Sequence, residues 1–77
     1  MNEKYQNFKL RVLAKTNGAN IHKINGLLGH IINGIDLVRL IDETQEKNKW
    51  KDFVIENLTK IENATGIQGD FDEFIKE

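Results

Sequence analysis

Three features of this 77-residue chain predict an all-α fold. It has no proline, the residue that most strongly breaks a helix interior. It lacks β-branched runs bounded by turn residues, the usual mark of strands. And Ile24, Leu28, Ile31, Ile35 and Val38 advance by alternating steps of four and three residues. That alternation keeps one stripe of a helix against a partner helix. His22 precedes the stripe by two residues, off its line and facing water if the stripe is buried.

The elements follow in order. A first helix is expected over roughly 3–16, carrying Tyr5, Phe8, Val12 and Leu13. Thr16-Asn17-Gly18-Ala19-Asn20 is a weak point, and two readings of it stand open. Asn-Gly can end the helix, with Asn20 capping the next one. Alternatively the stripe runs backwards through Ile21, Asn17, Ala14 and Leu10 as one long helix, since a single glycine costs only about 1 kcal/mol against alanine. The central helix is expected to reach about Glu46 and to pass unbroken through Asn33-Gly34, because the stripe keeps its phase there. A polar turn is expected from Thr44 to Asn48. The next helix, about 49–65, shows Trp50, Phe53, Val54, Leu58, Ile61 and Ala64 on one face. Gly66 suits its C-terminal cap. Asp70 with Glu73 has capping-box spacing and opens a short tail helix holding Phe71, Phe74 and Ile75.

The whole chain, 1–77, reads as one helical domain. A chain of this size buries only about 60% of its unfolded surface, so a second copy is expected to complete the core as a homodimer. Without cysteine, neither disulfides nor a thiolate metal site can substitute. No apolar run approaches a membrane span and MNEKYQNFK lacks a signal-peptide core, so a cytoplasmic location is expected. The net charge of −1 conceals +4 over residues 1–40 and −5 over 41–77. An uneven solvated surface explains this; so would a basic half that meets an anionic pocket or phosphate backbone.

His22-Lys23-Ile24-Asn25-Gly26, Ile31-Ile32 and Ile35-Asp36-Leu37 together resemble the phosphoacceptor box of sensor histidine kinases. An amphipathic helix begins about 27 residues after the histidine, as in that family. The resemblance implies a helical hairpin that dimerises into a four-helix bundle, with His22 exposed and phosphorylated. HKING is also similar to the box of histidine phosphotransfer domains, in which a small residue four positions on admits the response regulator. The sequence departs from the kinase pattern at Lys23, often an acid; at Gly26, often Thr or Asn; and at Leu27, often proline. It shows no glycine-rich nucleotide box, so self-phosphorylation is not expected. On this reading a response regulator is the partner, His22 is the acceptor and Lys23 neutralises phosphoryl charge. Ile24, Leu28, Ile31, Ile35, Val38, Trp50, Val54, Leu58 and Ile61 then form the core and dimer seam. A neutral imidazole offers a nucleophilic lone pair near pH 7, and phosphoryl transfer is mostly positioning and charge neutralisation.

Two other functions compete. Residues 10–27 resemble a helix-turn-helix box, with Ala14, Gly18, Ile24 and Leu27 at its small, turn and apolar positions. That alternative makes the chain a small monomeric domain of three to five helices. It puts Asn20, His22, Lys23 and Asn25 into the DNA major groove, and only under it is nucleic acid a partner. The third reading is a helical inhibitor or adaptor that binds another protein through an apolar face. No cofactor or metal is expected. His30, eight residues after His22, has the wrong spacing for a two-histidine site, and Asp70, Asp72 and Glu73 fall short of a calcium loop.

Overall fold

The computed structural model describes residues 2–76. They form four helices and, among the described residues, no strand: α1 Glu3–Lys15, α2 Ile21–Leu40, α3 Thr44–Thr65 and α4 Phe71–Ile75.

Local chemistry sets each boundary. Asn2 caps α1, its Oδ1 accepting the Tyr5 N–H at 3.0 Å. At the other end the Thr16 hydroxyl donates to the Val12 carbonyl at 2.8 Å, and Thr16 itself is extended. The Asn20 N–H then bonds both the carbonyl and the side-chain oxygen of Asn17. An asparagine that offers a local acceptor competes with the helix ladder, and Gly18 adds little resistance. The helix therefore breaks here, and the long-helix alternative is corrected. Asn20 stands at the N-cap position of α2 but its side chain makes no capping bond.

α2 runs unbroken through Gly34, as its unshifted stripe predicts. It stops at Leu40, short of the expected Glu46, and α3 begins at Thr44 where a turn was expected. Glu43 is the reason. Its carboxylate accepts the N–H groups of Gln45 at 3.1 Å and Glu46 at 2.6 Å, so the polar stretch becomes a capped first turn. At its far end Gly66, in the left-handed region at φ 77°, donates its N–H to the Glu62 carbonyl at 2.8 Å. The Asp70 carboxylate accepts the Asp72 N–H at 3.0 Å and starts α4.

α2 and α3, joined by only three residues, form the central hairpin. The α2 stripe is buried from end to end, against Val54, Leu58 and Ile61. Gly34 permits this approach, since a Cβ there would run into Val54 Cγ2. The front of the hairpin is closed by Tyr5, Phe8 and Val12 from α1 and by Phe71 and Phe74 from α4. One chain thus covers the stripe for which a second copy was expected.

Residues 66–70 form a strap that carries the chain from the end of α3 back to α4. A Cβ at Gly69 would lie 2.8 Å from both Leu58 and Phe8, so only glycine lets the strap sit between α1 and α3. The backward stripe is not buried: Leu10 is 65% exposed, and Ala14 and Asn17 are exposed as well. Ala64, expected on the buried face of α3, also lies exposed.

Candidate functional site

His22 lies in the first turn of α2 and is exposed, as are Lys23, Asn20 and Asn25. Off-stripe spacing predicted that exposure. The helix carrying His22 begins only one residue before it, instead of continuing upstream. Of the four positions assigned to a helix-turn-helix, Ile24 and Leu27 are buried and Ala14 and Gly18 are exposed. Leu10 and Ala14 point to solvent, and α1 packs through Tyr5, Phe8 and Val12 instead. Of the nine residues assigned to core and dimer seam, eight are buried within the chain, and Trp50 alone is half-buried.

Trp50 belongs to a second feature, on the side of the hairpin away from α1 and α4. Its ring meets Phe53 edge-on, with centroids 5.4 Å apart and planes at 80°. Phe53 in turn meets the His30 imidazole at 5.7 Å and 69°. Both contacts are the edge-to-face geometry that aromatic quadrupoles favour. Helical spacing aligns His30, Gly34 and Leu37 along one edge of α2, and Gly34 brings that edge against Phe53. His30 is exposed, while Leu37, Trp50 and Phe53 are half-buried. Sequence reasoning placed Trp50 and Phe53 in the core and gave His30 no role, because spacing alone does not separate the centre of a buried face from its rim.

A trough of about 880 Å³ between α1, α3 and the tail is lined by Lys4, Arg11, Lys51, Glu62, Asp70 and Asp72, among others. Lys51 Nζ lies 5.5 Å from the Phe71 ring centroid. No group of three or more potential metal ligands clusters among the described residues. Asp70, one of the acids weighed against a calcium loop, serves as the α4 cap. No described helix is long and apolar enough to cross a membrane. One titratable group stands out: burial pushes the Tyr5 phenol up to about 12.

Compared with known protein families, curated proteins and solved structures, the chain finds no significant match.

Proposed function

We propose that this chain is a small helical module that binds another protein through the side of the α2–α3 hairpin left open by α1 and α4. The supporting observation is the row His30–Phe53–Trp50, three rings in edge-to-face contact at a partly exposed surface. Tryptophan is enriched among interface anchors, because one rigid ring buries much area at small entropic cost. Here it is already held in place by its neighbours, which lowers the ordering cost of binding. A photo-crosslinking residue at exposed Lys49, beside an intact Trp50, should trap one partner in the source cell. That partner, purified, should bind the wild-type chain and lose affinity for Trp50→Ala. A chain that yields no adduct, or a partner indifferent to Trp50→Ala, contradicts the reading. This function does not call on a second copy, since the stripe meant for it is already covered.

A second reading rests on His22, which is exposed at the head of a 20-residue helix with Lys23 beside it. In this reading the imidazole attacks the phosphoryl group of an aspartyl phosphate or ATP held by the partner, the P–O bond breaks to release the aspartate carboxylate or ADP, and Lys23 offsets the incoming charge. Incubation with a phosphorylated response regulator, or with a kinase catalytic domain and ATP, should give acid-labile, base-stable label. His22→Gln should abolish it and His30→Gln should leave it intact. Failure of both donors to label the wild-type chain removes this second reading.

A further inference from the structure

α4 has five residues, far below the ~12–15 at which an isolated helix becomes even marginally stable in water. Its conformation is therefore imposed by the surface on which it lies. That surface recognises it in three ways. Phe74 is 2% exposed, with its ring 5.3 Å from Phe8 and edge-on to Tyr5 at 5.8 Å. Phe71, three residues earlier and so on the same face, is buried with it. Then there is the backbone. The Phe74 carbonyl accepts Asn2 Nδ2 at 2.8 Å and the Arg39 guanidinium at 2.9 Å, and Arg39 also reaches the Ile75 carbonyl at 3.4 Å. So short a helix leaves these carbonyls without partners of its own, and side chains flanking α1 and on α2 supply them.

We infer that α1, α2 and α3 form a receptor groove for a short amphipathic helix with two phenylalanines three residues apart, and that residues 67–76 are its ligand carried in cis. The partner it fits is this same tail presented by a second copy of the chain. Recognition comes from the rings, the carbonyl donors and the seat of Gly69 between Leu58 and Phe8, and the covalent link to α3 adds tethering. A tether raises effective concentration without adding a contact of its own. The tail must therefore bind in trans once the resident copy is out. The groove is distinct from the Trp50 surface, so the two proposals stand or fall separately.

The test uses the full chain carrying Phe71→Ala and Phe74→Ala, which removes both rings from the resident tail and leaves the residues of α1, α2 and α3 unchanged. The probe is a synthetic peptide of residues 66–77 with a fluorescent label. The variant should bind the peptide saturably, with Tm rising by roughly 5 °C at saturation. The wild-type chain, its groove already filled, should bind at least tenfold more weakly. Adding Arg39→Ala to the variant should weaken binding about tenfold, as expected for losing hydrogen bonds from a charged donor. If the double variant does not fold alone, the peptide should restore its helicity, read by circular dichroism. A peptide that neither binds the variant nor restores its helicity overturns the proposal. So does one that binds wild type and variant equally.

Discussion

The Tyr5 hydroxyl donates a 2.7 Å hydrogen bond to the backbone carbonyl of Leu28 and so ties α1 to the middle of α2. Tyr5 is 2% exposed and its ring packs against two others, Phe8 at 6.4 Å and Phe74 at 5.8 Å. Tyr5→Phe keeps the ring and removes the bond, and should cost about 1 kcal/mol in urea unfolding. It should also change the alkaline limb. Burial raises the Tyr5 pKa from 10.0 to about 12, so ionisation is harder in the folded state. Stability from this source is complete below pH 10 and is lost as pH rises through 12. Tyr5→Phe should lack that component of the loss between pH 10 and 12.

Glycines within α2 should respond in opposite directions to alanine. Gly34→Ala drives a methyl into Val54 where α2 packs on α3, and should destabilise by about 1–3 kcal/mol despite its better helix propensity. Gly26 is exposed, and a methyl added there would meet nothing within 4 Å. Gly26→Ala should therefore stabilise by up to about 1 kcal/mol. Thermal denaturation of the two variants side by side checks this. Equal shifts of the same sign contradict the packing described.

The helices were legible because burial leaves a period. The stripe from Ile24 to Val38 announced α2, and Val54, Leu58 and Ile61 announced α3. What covers a stripe is not written in its period. Tyr5, Phe8 and Val12 meet the stripe across a turn, and Phe74 does so from the far end of the chain, both long-range facts. The α1–α2 break stayed ambiguous because Leu10, Ala14 and Ile21 imitate the stripe's spacing, although Leu10 is 65% exposed. The start of α3 was misplaced because Thr44 to Asn48 has the composition of a turn, and a single carboxylate, Glu43, converts it into helix. His22's exposure was legible from its phase. The aromatic row at Trp50 was not, since its exposure depends on where α1 and α4 stop covering the hairpin.

A closed core within one chain predicts a monomer. Light scattering at high micromolar concentration should return a mass near 8.9 kDa, and twice that mass would show that covering the stripe does not satisfy the surface. Ile31 is fully buried in this intramolecular core, so Ile31→Asp should unfold the chain at every concentration. Loss of helicity in circular dichroism, independent of dilution, is the expected readout.

Partner binding is expected to run through Trp50 on the open side of the hairpin. The most direct test compares two exposed or half-exposed apolar positions on different helices, Trp50 on α3 and Leu10 on α1. Affinity for the purified partner would be measured by titration calorimetry with wild type, Trp50→Ala and Leu10→Ala, after circular dichroism confirms that all three fold. The account predicts a loss of tenfold or more for Trp50→Ala, about 1.4 kcal/mol or above, and no change for Leu10→Ala. Equal affinities for all three, or a loss confined to Leu10→Ala, would contradict it.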